Sequence, residues 1–287
     1  MATVTAMPTS SGLRSRWTYL LAYVAAVVVA ELLIALPGPA KPEERPFQPI
    51  GLGIHILLVF TLMFLSVVVQ PKDATLANLL VATSLASLVR VFSLAVPRYP
   101  FFTSPSTEPI NTIPWLALVS VPLLVSVGAV AYVQRLRPKD LGLQVVQWKD
   151  VPIQLAIAAT GLPLGFVEYT ILKPQAWIAG LALVPLVVGS VVIFLATGLS
   201  EELIFRAVLL RRAVEGLGQR GGLLFVTAIF ASLHIFFLSA VDLAFVFAVG
   251  LFYGVAVLKT RNLWGAIFSH SLGNIVLYLI APFLFPR

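Results

Sequence analysis

The hexapeptide Glu201-Glu202-Leu-Ile-Phe-Arg206 puts two carboxylates and a guanidinium into an otherwise apolar stretch of chain. In a helix, Glu202 and Arg206 stand at i and i+4 and can pair along one face. Glu201 is turned roughly 100° away, at about 3.6 residues per turn. One carboxylate is then held by a cation while its neighbour stays free. A free carboxylate can take a proton from water and so act as a general base. Two acids opening a helix would look the same, because the helix dipole favours negative charge in the first turn.

Two further groups share this setting. In Phe230-Ala-Ser-Leu-His234, a histidine lies in an apolar run with an aromatic ring one turn before it. A hydrogen-bonded packing histidine is the plainer account of it. In His270-Ser-Leu-Gly-Asn274, an imidazole and an amide stand at i and i+4 on one face. Both can donate hydrogen bonds, and two donors aimed at one point are what an oxyanion needs. A polar clamp between membrane helices would use the same residues. The chain has three histidines, and two of them fall in these motifs. The third, His55, has no such neighbour and reads as structural.

These side chains are informative because of what surrounds them. Hydrophobic residues make up 59% of the 287-residue chain and charged residues 11%, with mean hydropathy +0.99. Soluble domains run at about 45–50% apolar and about 25% charged, so the chain has too few charges to cover a water-facing surface. A charge at mid-bilayer costs about 2.5–3.5 kcal/mol on insertion scales, and each one inside an apolar run needs a reason. Glu31 and Arg90 sit near the ends of runs, where long side chains can reach the interface. Asp242 opens a run and reads as an N-cap or first-turn acid. Glu168, late in its run, is the best further candidate for a supporting role at the site.

The elements that must position the three motifs are membrane helices. Nine runs approach the roughly 20 apolar residues that span a bilayer: about 17–37, 50–70, 76–96, 113–133, 151–171, 177–199, 222–238, 241–258 and 263–285. Between the sixth and seventh lies the stretch 200–220, helical in pattern but heavily charged. The first run exceeds a signal-peptide core of about 7–15 residues and reads as a retained span. All five tryptophans stand at or just before the start of a run, at the headgroup level that indole prefers. Gly250 and Gly254 form a small-xxx-small pair suited to close helix packing. The expected fold is all-α: a polytopic membrane bundle of about nine transmembrane helices.

The net charge of +7 is a membrane feature, since lysine and arginine gather in cytoplasmic loops. It does not call for nucleic acid. With the N-terminus inside, thirteen Lys and Arg fall on inner segments and five on outer ones (Lys41, Arg45, Arg98, Lys173 and Arg287), with Arg90 left inside a span. This bias predicts a cytoplasmic N-terminus and a site toward the cytoplasmic side, most simply of the plasma membrane. The stretches 135–149 and 200–220 are then also cytoplasmic. The absence of cysteine excludes a thiol nucleophile and a cysteine-ligated metal.

Glu-Glu-x-x-x-Arg, then Phe-x-x-x-His, then His-x-x-x-Asn, in this order on apolar helices, resembles the CAAX protease and bacteriocin-processing family. Its members of the type II CAAX prenyl endopeptidase kind are intramembrane glutamic endopeptidases. Ala207 departs mildly from the glycine often found after the arginine. The resemblance covers about residues 113–285, which divides the chain into an extension with about three transmembrane helices (1–112) and a protease-like core (113–287). It implies that Glu201 activates water, with His234 helping to hold or polarise it. It implies that His270 and Asn274 stabilise the oxyanion of a tetrahedral intermediate. Glu202 and Arg206 would fix the site's geometry, with Phe230 in support. No cofactor or metal is implied. The partners would be the lipid bilayer and a membrane-associated peptide or protein, prenylated or a leader peptide.

Two other readings use the same residues. A metal-dependent hydrolase would take Glu201, His234 and His270 as zinc ligands, with water as the fourth; it would lack the His-Glu-x-x-His pattern. A non-catalytic scaffold or immunity protein would use the polar residues only to clamp helices. A transporter finds no support in paired broken helices or a repeat of halves.

Overall fold

The computed structural model describes residues 10–36, 45–96 and 112–285. Lys41, Arg98 and Arg287 of the outer charge count lie outside these. The described residues form helices and connecting turns: α1 (Ser10–Ala35), α2 (Gln48–Val69), α3 (Ala74–Ala95), α4 (Thr112–Val133), α5 (Val151–Ala159), α6 (Gly161–Leu172), α7 (Leu183–Ile193), α8 (Ser200–Glu202), α9 (Leu210–Ser232), α10 (Ala240–Thr260), α11 (Trp264–Ile275) and α12 (Ala281–Leu284). The chain is an all-α, multi-pass membrane protein. α2 shows why: Leu57, Phe60, Phe64 and Val67 are each more than 60% exposed, a face suited to lipid and costly in water.

Eight helical stretches among the described residues are long and apolar enough to cross a membrane. Nine runs were expected, and the difference has one cause. The sixth and seventh runs belong to a single stretch, Leu183–Phe237, of 55 residues. At 1.5 Å per residue a straight helix of that length would be about 80 Å long, far beyond a core of about 30 Å. It folds back at Gly218, whose φ of 76° and ψ of 169° are not helical. A side chain strains at that φ, whereas glycine does not. Beyond the bend, the backbone of Gly222 lies against that of Ala213 and Val214; a Cβ there would stand 2.6 Å from the Val214 nitrogen.

The first limb does not end at Leu199, where the apolar run stops. It continues as a π-helical turn (Phe194–Leu199), α8, a second π-helical turn (Leu203–Leu209) and the start of α9. Every residue from Leu203 to Leu210 is buried. The first half of the charged stretch 200–220 is therefore part of the core.

One end of the bundle gathers the basic segments. Arg16 of α1 makes a two-pronged bond to Asp73 at 2.9 Å and donates to the Gly216 carbonyl at 2.8 Å. Arg212 donates to the Gln134 side chain, and Arg211 to the Asp140 carbonyl. The start of α1, the turn between α2 and α3, the end of α4 and the bend of α9 are thus tied together. A single apolar core links the two halves of the chain: Leu20 and Val27 of α1, Leu79 and Leu80 of α3, and Phe205, Ile229 and Ile267 all belong to it.

Candidate active site

α8 carries the two carboxylates in the middle of the long limb. Glu201 is ten residues before Arg211, so about 15 Å in from the basic end at 1.5 Å per residue. π-helical turns flank α8 on both sides. Such turns are rare and recur at functional sites, because they widen the helix and re-aim its side chains.

The two adjacent glutamates differ in their surroundings. The Glu202 side chain is fully buried. Its Oε1 accepts from Arg206 Nη1 at 2.9 Å and faces His270 Nδ1, also at 2.9 Å. The Glu201 side chain is 24% exposed and makes no hydrogen bond among the described residues; its nearest charged partner among them is His270 Nε2, at 3.9 Å. That gap is too long for a direct hydrogen bond but leaves both atoms able to contact one water. The imidazole of His270 therefore stands between a buried carboxylate engaged through Oε1 and an open one.

Arg206 is 3% exposed, a buried cation and not the loop charge that the count of inner residues assumed. Its Cζ lies 4.1 Å from the Phe230 ring centroid and 5.6 Å from that of Tyr253. These aromatic faces attract a desolvated guanidinium, whose Nη2 has no hydrogen-bond partner among the described residues. Phe230 in turn has its ring centroid 5.2 Å from that of His234 and 6.1 Å from that of His270. The second motif thus packs its aromatic ring between the first and the third. Gly250 of α10 approaches Thr227, Phe230 and Arg206 closely, so the small-xxx-small pair packs α10 on this side of the site.

α11 brings the third motif. Its approach to the carboxylate helix depends on Gly198, where a Cβ would stand 1.9 Å from Ser271 Oγ and 2.9 Å from the Ile267 carbonyl oxygen. Ser269, one residue before His270, bonds to Tyr253 of α10 and Thr160 at the start of α6. Asn274 is half-buried, one turn past His270, and has no hydrogen-bond partner among the described residues. His234 Nδ1 lies 3.2 Å from the Phe230 carbonyl. A carbonyl only accepts, so Nδ1 carries the proton in this bond, and in the neutral ring Nε2 keeps its lone pair.

Three more acids stand near by. Glu168 of α6 is within electrostatic range of Glu201, His270 and Asp242. Asp242 is fully buried, and neither of its carboxylate oxygens has a hydrogen-bond partner among the described residues. The N-cap of α10 is Ser239, which accepts from the Asp242 amide at 3.1 Å, so Asp242 is the first-turn acid. Glu31 and Arg90, expected to extend toward the interface, are paired inside the bundle instead. Arg90 Nε and Nη2 donate to the two Glu31 oxygens at 2.7 and 2.8 Å. Sequence reasoning missed this pair, although two opposite charges in apolar runs were a usable signal. No group of three His, Cys, Asp or Glu side chains that could hold a metal ion occurs among the described residues. Glu201, His234 and His270 accordingly do not converge on one ion.

Residues 182–276, from just before α7 to just past Asn274, match the family model described as Type II CAAX prenyl endopeptidase Rce1-like. All three motifs lie inside the match. It supports the CAAX protease family for this chain and, with it, peptidase activity. No curated protein and no solved structure matches the chain.

Proposed function

We propose that the protein is an intramembrane endopeptidase in which Glu201 activates water to hydrolyse a peptide bond. The observation that carries this reading is the contrast between Glu202, buried and bonded to both Arg206 and His270, and Glu201, open and unbonded beside the same imidazole. A structural clamp needs the first carboxylate but not the second.

In this mechanism Glu201 takes a proton from water as the oxygen attacks the scissile carbonyl carbon. The carbonyl oxygen becomes an oxyanion, which His270 and Asn274 stabilise by hydrogen bonds. Glu201 then passes its proton to the amide nitrogen and the C–N bond breaks; the second water proton moves from the new carboxyl group to the amine, and a carboxylate and an ammonium leave. His234 holds or polarises the water through the lone pair on Nε2. No covalent intermediate forms and no cofactor takes part. The Glu202–Arg206 pair and the Phe230 ring keep the carboxylate helix and His270 in register. Glu168 is a further acid within electrostatic range of Glu201 and His270.

Residues 113–287 form the catalytic core in this account, and residues 1–112 an extension whose helices α1, α2 and α3 share its apolar core. The substrate is a membrane-associated peptide or protein, of which a prenylated CAAX tail is the class the family description suggests. The bias of basic residues supports a cytoplasmic N-terminus and a site entered from the cytoplasmic side of the plasma membrane. Comparing protein termini in host cells carrying wild type or Glu201→Ala tests the reading. New termini that vanish in the variant identify the substrate; identical sets of termini favour a scaffold.

A further inference from the structure

The first three helices bring a second buried polar cluster up against the site. Glu31 of α1 is fully buried and receives the Arg90 guanidinium of α3 on both oxygens. His55 Nε2 of α2 lies 3.3 Å from the same carboxylate. A planar guanidinium gripping a carboxylate with two parallel bonds is fixed in direction as well as position. Arg90 Nη2 also donates to the Leu233 carbonyl at 2.7 Å. Leu233 is the C-cap of α9, and His234 follows it. The last carbonyls of a helix have no partners within it, and a cation there both bonds them and meets the negative end of the helix dipole. Arg90 supplies this cap from another helix.

The cap acts where His234 is set. Its backbone amide donates to the Ala231 carbonyl at 2.8 Å, and its Nδ1 faces the Phe230 carbonyl. The ring direction therefore follows the last turn of α9, which Arg90 holds at Leu233. Arg90 and Arg45 also lie 5.5 and 4.5 Å from the Phe236 ring centroid, just past His234. Glu31, His55 and Arg90 all lie outside residues 182–276.

We infer that Arg90, aligned by Glu31, is a positioning residue that sets His234, and that this gives the N-terminal helices a role in the site. The role in catalysis rests on the peptidase reading; the role in orienting His234 does not. Removing Arg90 alone would strand a buried carboxylate and could unfold the chain. The informative variant is therefore Glu31→Leu/Arg90→Met, which replaces both charges with apolar groups of similar size, an exchange that folds tolerate. The full-length protein in lipid nanodiscs, labelled with ¹⁵N-histidine, gives three imidazoles assignable by single His→Gln variants. In wild type the His234 resonances show Nδ1 protonated and Nε2 free. In the double variant they shift toward mixed tautomers, while kcat on a quenched farnesylated CAAX peptide falls about tenfold at unchanged KM. Arg90→Lys keeps the charge but not the fork, and shifts the same resonances in the same direction even if the double variant does not fold. Unchanged His234 resonances in either folded variant overturn the inference. If wild type leaves the peptide uncut, the peptidase reading falls; if Glu201→Ala cuts it as fast as wild type, Glu201 is not the base; in both cases the resonances still decide the clamp.

Discussion

Nδ1 of His270 lies 2.9 Å from Oε1 of Glu202, the oxygen that also receives Arg206. The bond joins two helices 68 residues apart in sequence. It turns the other ring nitrogen toward Glu201 and couples the parts of the site. The pairing of Glu202 with Arg206 supports the carboxylate helix, and the imidazole between the two glutamates links that support to the open carboxylate.

Arg206→Met leaves Glu202 buried without its guanidinium. Breaking a buried pair from one side costs about 3–5 kcal/mol. Chemical unfolding of the variant in detergent micelles is expected to show a loss of that size. Arg206→Lys keeps the charge but not the flat contact with Phe230, and falls between the two.

Asn274 makes no hydrogen bond among the described residues, so its loss should leave the fold intact. Asn274→Ala is expected to keep the wild-type melting temperature. Removing one oxyanion donor costs about 10²–10³ in kcat, with KM little changed. A full cleavage rate would show that the amide does not touch the oxyanion.

Gly198→Ala pushes a methyl group into Ser271 Oγ and toward the Ile267 carbonyl. α11 must move away from the carboxylate helix and take His270 with it. Overpacking of this kind costs about 1–3 kcal/mol, and kcat is expected to fall with stability. Adding Ser271→Ala removes the nearer clash but not the carbonyl, so melting temperature and kcat should recover only in part.

Much of this was legible in the sequence, because period and composition report on single helices. The apolar runs marked the spans, and the spacing of Glu202 and Arg206 marked a pair that the structure has at 2.9 Å. What lay hidden depends on how helices face one another. A four-residue spacing shows that His270 and Asn274 share a face, but not that the face meets Glu202. Glu31 and Arg90 are 59 residues apart, and nothing local to either says that the other is its partner. The bend at Gly218 lies within a charged stretch that is helical in pattern, and the pattern runs through the bend unmarked. Only the return of Gly222 onto Ala213 reveals two limbs of one folded helix.

The central claim is that Glu201 is the base. Glu201→Gln keeps the shape of the side chain and removes its ability to take a proton. Positioned general bases contribute about 10²–10⁴ in rate, and among the described residues the side chain holds no hydrogen bond that its loss would break. The most direct measurement is the single-turnover cleavage rate of purified wild type and Glu201→Gln in nanodiscs, on a substrate found through its lost termini, with the melting temperature of each. A fall of about 10²–10⁴-fold at unchanged melting temperature is predicted. Cleavage at the wild-type rate would contradict the account.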